Sequence, residues 1–235
     1  TYNGATLTPR KMIVGLTGYM GSGKGEIAKR LQSQGYKYVS LSDMVREEAT
    51  KQGLEHTREN LQQVGNALRV EHGAGVLGIK AREKITPGED WVIDGIRNPA
   101  CIEELRELPD FKVLGVTANS DLLVNRILER RREGLQIDRE TVLSKLNKER
   151  GEGEPPEGQQ VKKCLDQVDH LILNEGTLEE LDAKFEHFIK LWKGEARPTF
   201  DEIFMEIAYT WAKRATCLRR GVGAVIAKDG QQLTA

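Results

Sequence analysis

The chain has 235 residues, of which 38% are hydrophobic and 30% charged, so it can bury at least one sizeable core. Its formal net charge of −1 gives no overall field to attract nucleic acid, and no apolar run approaches the ~18 residues of a transmembrane helix. Three widely spaced cysteines, Cys101, Cys164 and Cys217, exclude a disulfide framework and a complete zinc site. We expect a cytoplasmic protein whose partners are small molecules, with no nucleic acid or membrane among them, and we leave homo-oligomer formation open.

The first predicted elements are a strand and a helix joined by a glycine-rich turn. Residues 12–17 are apolar enough for a buried strand, and Ile27, Ala28 and Leu31 then recur at helical spacing. Gly35 closes this helix, where a left-handed residue is favoured. The chain therefore begins its first domain as strand, turn and helix.

The same alternation continues along the chain. Further strands are predicted at residues 38–41, 91–93, 111–116 and 170–173, and further helices at 43–51, 59–71, 76–84, 121–150 and 178–192. This rhythm predicts an α/β fold of the three-layer P-loop type, in which helices cover both faces of a mostly parallel sheet. We expect this domain to span residues 11–193.

The turn carries the pattern G-x-x-x-x-G-K, which is typical of a phosphate-binding loop. Its glycines let backbone N–H groups curl around phosphate oxygens, and Lys24 reaches the β and γ phosphates. A dinucleotide site is excluded because Glu26 occupies the place of its third small residue. A glycine-rich turn without a ligand is the remaining alternative. The predicted nucleotide-binding residues of the turn are Gly18, Gly21, Ser22, Gly23, Lys24 and Gly25.

Gly25 stands where most such loops have the Ser or Thr that contacts Mg²⁺, so the metal would be held elsewhere. The run Gly-Ser-Gly-Lys-Gly resembles the loop of adenylate kinase and other nucleoside-monophosphate kinases, in which Gly also follows the Lys. This chain differs from them at Glu26, where those kinases usually have Thr. The resemblance implies ATP and Mg²⁺ as cofactors.

Two downstream segments extend this resemblance. Residues 42–46, with Asp43 and Arg46, resemble the Gly-Asp-Met-Leu-Arg run of the acceptor site in monophosphate kinases. Residues 94–97 resemble their Asp-Gly-Phe-Pro-Arg element, which implies that Arg97 shares the acceptor phosphate with Arg46 and that Asp94 belongs to the magnesium shell. The alternatives are a helix cap at Asp43, a solvated Arg46, and a simple turn at Asp94 with a surface arginine after it.

Arginines recur on the predicted helix where the kinases carry their lid, at positions 126, 130, 131, 132, 139 and 150. Such cations neutralise the transferring phosphoryl group, and we take Lys24, Arg97 and Arg130 as the catalytic residues. Each arginine could instead be a solvated surface charge. Asn174 opens a segment that resembles the Asn-x-Gly-Ser/Thr stretch beside the nucleotide base in dephospho-coenzyme A kinase and archaeal kinase-like proteins.

The last forty residues differ from the rest. Residues 197–235 resemble the opening helix and strand of deoxycytidylate deaminases, but they lack the H-x-E and P-C-x-x-C motifs of the zinc site. Zn²⁺ would therefore be a cofactor only in a longer parent protein with a complete deaminase domain. The alternative is a short C-terminal extension. Thr199 and Glu202 predict a capping box at the start of the helix in this segment.

The leading functional hypothesis is an ATP-dependent kinase that phosphorylates a (deoxy)nucleoside monophosphate. The alternative is a nucleotide-sensing regulatory domain of a zinc-dependent deoxycytidylate deaminase. A third interpretation makes deamination the principal activity of a longer parent protein.

Overall fold

The computed structural model describes residues 11–129, 138–212, 222–228 and 231–234. The chain divides into two compact units, the first ending at Phe185 and the second beginning at Glu186. The expected domains, residues 11–193 and 197–235, stay predictions.

Five parallel strands form the sheet of the first unit, in the order β2-β3-β1-β4-β5. The strands are β1 (Ile13–Thr17), β2 (Lys37–Ser40), β3 (Trp91–Ile96), β4 (Phe111–Thr117) and β5 (His170–Leu173). All five residues of β1 are buried, because a central strand of a covered parallel sheet has neighbours on both faces. The sheet confirms the predicted α/β fold with parallel strands.

Nine helices connect and follow these strands in the described part of the chain. They are α1 (Lys24–Ser33), α2 (Leu41–Lys51), α3 (Arg58–His72), α4 (Val76–Lys84), α5 (Pro99–Leu105), α6 (Ser120–Glu129), α7 (Arg139–Arg150), α8 (Val161–Leu165) and α9 (Leu178–Lys193), and α9 crosses the boundary between the units. The predicted helical region 121–150 is therefore two helices, α6 and α7, with residues 130–137 outside the described ranges.

The helices cover both faces of the sheet. In the order β2-β3-β1-β4-β5, the chain moves from β1 towards the β2 edge and then, from β2 to β5, back across the sheet towards the β5 edge. Because such crossovers are right-handed, α1 lies on one face of the sheet and α2–α8 lie on the other. On the α2–α8 face, Ile13, Ile93 and Val113 pack in one buried cluster with residues of α2, α3, α4, α5 and α8. On the other face, an ion pair between Arg30 and Asp182 at 2.7 Å holds α9 beside α1.

Two strand ends differ from the sequence prediction. Strand β2 ends at Ser40 because the Ser40 hydroxyl accepts the N–H of Asp43 and caps α2, so Leu41 begins the helix. Strand β3 continues to Ile96, and Asp94 therefore lies in the strand, paired in register with Ser40, rather than after it. The first difference comes from a local helix cap, whereas the second comes from pairing with β2, a contact that a local pattern does not contain.

The second unit contains the end of α9, helix α10 (Phe200–Ala212) and the antiparallel strands β6 (Ile226–Lys228) and β7 (Gln231–Thr234). The predicted capping box is present: Thr199 N–H donates to Glu202 Oε2 at 2.7 Å, and Glu202 N–H donates to Thr199 Oγ1 at 3.2 Å. Cys217 lies outside the described residues. None of the helices in the described ranges combines the length and apolar character that a bilayer crossing requires.

Candidate functional site

The turn between β1 and α1 has the backbone that its glycines predict. Gly18, Gly21 and Gly23 have φ values of +148°, +82° and +99°, a region that L side chains rarely adopt. A Cβ at Gly18 would overlap the Val116 carbonyl oxygen, and one at Gly23 would overlap Asn174 Nδ2. Only glycine fits these two positions, as the predicted phosphate-binding loop requires.

The loop opens directly into the N-terminus of α1. Gly23 is the N-cap residue and provides no side chain to accept the first N–H groups of the helix. The hydroxyl of Ser22 is buried and has no hydrogen-bond partner among the described residues. These donors and the partial positive charge of the helix N-terminus suit a phosphate group. The residues present therefore fit the predicted nucleotide phosphates.

Lys24 lies over the same loop. Its Nζ donates to the Tyr19 carbonyl oxygen at 3.3 Å, across the turn from its own backbone. A lysine held there can transfer its hydrogen bonds to phosphate oxygens with a small side-chain movement. The Lys24 ammonium therefore lies at the loop, and its contact with phosphate stays a prediction.

Asn174 supports the loop from the end of β5. Its buried amide donates to the Ser22 carbonyl oxygen at 2.8 Å, and its backbone N–H donates to Thr117 at 2.8 Å. Arg126 in turn donates to the Asn174 carbonyl oxygen at 2.8 Å. Asn174 therefore positions the loop backbone, while the contact with a nucleotide base that the resemblance implies stays a prediction.

Glu149 connects Arg97 to the loop, and the sequence analysis missed it. Its carboxylate accepts the Met20 N–H at 2.8 Å through Oε2 and the Arg97 guanidinium at 3.3 Å through Oε1, and the side chain is only 4% exposed. Arg97 also donates to Gln159 Oε1 at 3.2 Å. The signal in the sequence is that Glu149 continues the buried face of α7 formed by Val142 and Leu146.

Asp94 fits the predicted metal role. Its Oδ2 accepts the Tyr38 hydroxyl at 3.3 Å, whereas Oδ1 is buried and has no hydrogen-bond partner among the described residues. Burial raises the pKa of Tyr38, and the charge of Asp94 raises it further, so Tyr38 stays a donor. Mg²⁺ prefers carboxylate oxygens together with water and phosphate. The described ranges contain no group of three or more potential metal ligands, and the magnesium role of Asp94 stays a prediction.

The two predicted acceptor arginines make different contacts in the structure. Arg46 forms an ion pair with Asp43, one turn away on α2, and both side chains are about half exposed at 46% and 53%. In the described part of the chain, the hydrogen-bond partners of Arg46 and Arg97 have no residue in common. The Asp43 side chain does not cap α2, because Ser40 does. Binding of the acceptor by Asp43 and Arg46 therefore stays a prediction.

The predicted lid arginines are only partly described. Arg130 lies outside the described residues, so its catalytic role stays a prediction. Arg139 pairs with Asp121. Arg150 donates to Ser120 Oγ at 2.6 Å, and its guanidinium lies 5.8 Å from the centre of the Tyr19 ring. Helix α7 thus carries both Glu149 and Arg150 to the loop.

Comparison with known proteins identifies the family of the chain. Residues 17–144, more than half of the chain, match the model of a family described as "AAA domain". The chain is 32% identical over 178 residues to a "UPF0200 protein" of Sulfurisphaera tokodaii, covering 76% of this chain and 96% of the relative. A UPF0200 protein of Pyrococcus horikoshii is 34% identical over 186 residues, with coverage of 76% and 96%. A shikimate kinase structure from Acinetobacter baumannii is 17% identical, covers 77% of this chain and 94% of its own, and has a TM-score of 0.46. The chain, with its P-loop α/β fold, belongs to the UPF0200 family and contains an AAA domain.

Proposed function

We propose that the chain binds ATP and Mg²⁺ at the loop of residues 18–25 and transfers the terminal phosphoryl group to a (deoxy)nucleoside monophosphate. One observation supports this most directly: the buried carboxylate of Glu149 joins Arg97 to the N–H of Met20 in the loop. The guanidinium of Arg97, a group suited to an acceptor phosphate, is therefore connected to the donor loop through the single carboxylate of Glu149. Phosphoryl transfer needs the two bound phosphates close together, so this contact between Arg97 and the loop supports the proposal.

The residues would divide the reaction between them. The loop N–H groups and Lys24 would hold the β and γ phosphates, and Asp94 would help to hold Mg²⁺, which neutralises charge on those phosphates. Arg97 would orient the acceptor so that one of its phosphate oxygens faces the γ phosphorus. The resemblance to monophosphate kinases gives Arg46 the same role. The acceptor oxygen forms the new P–O bond while the bond to the β-phosphate oxygen breaks, and Arg130 would stabilise the charge during transfer.

A second function, nucleotide sensing without transfer, is favoured by one feature of the loop. A Cβ at Gly25 would meet nothing within 4 Å, so packing does not prevent a Ser or Thr hydroxyl there. Glu26, where related loops have Thr, pairs instead with Lys29 at 3.2 Å. A chain without these hydroxyls could bind nucleotide and regulate a deaminase attached through residues 197–235.

Product analysis separates the two functions. Purified protein is incubated with ATP, Mg²⁺ and a panel of ribo- and deoxynucleoside monophosphates, and every nucleotide is resolved by chromatography. The proposal expects a new diphosphate from one or a few acceptors, lost in Lys24→Ala and retained in Lys29→Ala, whose side chain is exposed. Bound but unconverted ATP would support the sensing function instead.

A further inference from the structure

Two glutamines line a cavity between α3 and α7 to which the proposed function gives no role. The cavity has a volume of about 320 Å³, within the range of ~300–1,000 Å³ that is typical of small-molecule sites. Gln62 lies in α3, and Gln159 lies after the end of α7. All other described residues that line the cavity are also polar or charged: Glu59, Glu140, Thr141, Ser144, Lys145 and Lys148. The cavity therefore suits a ligand that forms hydrogen bonds.

The side-chain amide of Gln159 has an orientation that its neighbour determines. Its Oε1 accepts a hydrogen bond from Arg97 Nη1 at 3.2 Å. A guanidinium has donors only, so the amide oxygen must face Arg97, and Nε2 is the end that remains available. In the described part of the chain, Gln159 Nε2 makes no hydrogen bond. Gln159 therefore offers two N–H donors to a ligand.

The side-chain amide of Gln62 has the opposite polarity. Its Nε2 donates to Glu154 Oε1 at 3.2 Å. A carboxylate accepts hydrogen bonds, so the amide nitrogen must face Glu154, and Oε1 is the end that remains available. None of the described residues donates a hydrogen bond to Gln62 Oε1. The same cavity thus has a donor at Gln159 and an acceptor at Gln62, each with its orientation determined by a charged side chain.

The segment of residues 154–160, which carries Gln159, is held in place by a buried amide. Asn98 is only 2% exposed, and its Nδ2 donates to the carbonyl oxygens of Pro156 and Gly158, both at 2.9 Å. A ligand that bonds to groups already held in position loses less entropy than one that must order them. The wall of the cavity formed by this segment is therefore preorganised for binding.

We propose that Gln62 and Gln159 recognise the base of the acceptor nucleotide in this cavity. A nucleobase carries hydrogen-bond donors and acceptors at fixed positions around its ring, so a base between the two amides accepts from Gln159 Nε2 and donates to Gln62 Oε1. A sugar hydroxyl both donates and accepts, so a pair of groups with one fixed polarity each discriminates between bases rather than between sugars.

The position of the cavity agrees with the role that the proposed function gives to Arg97. Gln159 Oε1 contacts the Arg97 guanidinium, so a base bound to Gln159 lies beside the group proposed to hold the acceptor phosphate. The inference rests on the proposed function and adds to it the contacts that would distinguish a nucleotide from other phosphomonoesters.

The test compares ligands with and without a base, independently of turnover. AMP, CMP, GMP, UMP and their 2′-deoxy forms are titrated by calorimetry, and ribose 5-phosphate and 2-deoxyribose 5-phosphate are the ligands without a base. Every titration contains β,γ-methylene ATP, which cannot transfer its terminal phosphoryl group. The measured quantity is the base preference, defined as the Kd of the sugar phosphate divided by the Kd of the monophosphate with the same sugar.

Three variants are compared with wild type. Gln62→Met and Gln159→Met each remove the available amide end at nearly constant side-chain volume. Gln63→Met is the matched control, because Gln63 is the exposed neighbour of Gln62 in α3 and is not one of the described residues that line the cavity.

We expect wild type to bind at least one monophosphate more tightly than the matching sugar phosphate. Gln62→Met and Gln159→Met should each lower this base preference about three- to tenfold, the effect of one lost hydrogen bond, and Gln63→Met should change it less than twofold. A purely structural role would weaken both ligands in proportion, so an unchanged base preference in the two folded variants would overturn the inference. If either variant does not fold, Ser144→Phe, which fills the cavity from an exposed lining position, should lower the same ratio.

Failure of the proposed function would look different. A base preference that depends on Gln62 and Gln159, in a protein that forms no diphosphate, would support the base site and refute the kinase. Diphosphate formation by variants that keep the wild-type base preference would support the kinase and overturn the base site. If no monophosphate binds wild type more tightly than its sugar phosphate, the base makes no contact with the protein, and the inference is wrong.

Discussion

Gly23→Ala should destabilise the protein, because two independent features of the loop require glycine at this position. An alanine at φ +99° is in a left-handed conformation that costs about 1–2 kcal/mol. Its Cβ would also overlap Asn174 Nδ2 and approach Leu181 Cδ2 to 3.2 Å, and overpacking of this kind costs about 1–3 kcal/mol. The structure therefore predicts a loss of about 3 kcal/mol in the free energy of unfolding.

Gly25→Ala is the matched control, two residues later in the same sequence. Gly25 lies in the first turn of α1, and a Cβ there would meet nothing within 4 Å. Because alanine is favoured over glycine in helices, this variant should gain about 0.5 kcal/mol. Urea unfolding followed by circular dichroism gives both values from the midpoints, provided that the slope is unchanged. Equal effects of the two substitutions, or a loss below about 1 kcal/mol at Gly23, would refute this account of the loop.

Three further predictions concern Lys24, Glu149 and the buried thiols. Lys24→Ala should raise the ATP Kd at least tenfold in calorimetry, because it removes the one loop side chain whose cation is predicted to contact the β and γ phosphates; unchanged affinity would remove Lys24 from the site. Glu149→Gln should cost about 2 kcal/mol, since it takes the charge from a buried hydrogen-bonded pair, and should lower the melting temperature by roughly 4–8 °C, whereas Glu152→Gln at an exposed position should stay within about 0.5 kcal/mol. Burial raises the pKa of Cys164 to about 12, so only the unfolded chain loses this proton above about pH 8.5; stability should fall as pH rises, by about 2 kcal/mol at pH 10, and Cys164→Ala should reduce that loss in urea melts. A Cys164→Ala variant with the same pH dependence as wild type would contradict the last prediction.

The loop could be predicted from the sequence because its chemistry is local. Gly18, Gly21 and Gly23 are needed at positive φ, and Lys24 follows them at a fixed spacing. The strand order β2-β3-β1-β4-β5 could not be predicted in the same way, since it depends on which distant strands pair. The extension of β3 through Asp94 has the same cause, because pairing with β2 rather than local propensity keeps those residues in the sheet.

Charged residues of the site and of the core were harder to predict. The sequence predicts a site role for Arg97 because it follows a strand at the edge where α/β sheets bind ligands, and that role stays a prediction. Glu149 and Arg69 were missed because a charge on a helix normally faces solvent, and only the phase of the neighbouring residues shows that these two point inward. Leu146 precedes Glu149 by three residues on the buried face of α7, and the buried Gly65 precedes Arg69 by four residues in α3.

Transfer of label from γ-labelled ATP is the most direct test of the central claim. Wild type and Lys24→Ala are each mixed with labelled ATP, Mg²⁺ and the acceptor found in the product screen, under single-turnover conditions. The account predicts that the label appears in the diphosphate formed from the acceptor in wild type and stays in ATP in the variant. Label released only as inorganic phosphate, or bound ATP that never turns over, would contradict phosphoryl transfer to a nucleotide.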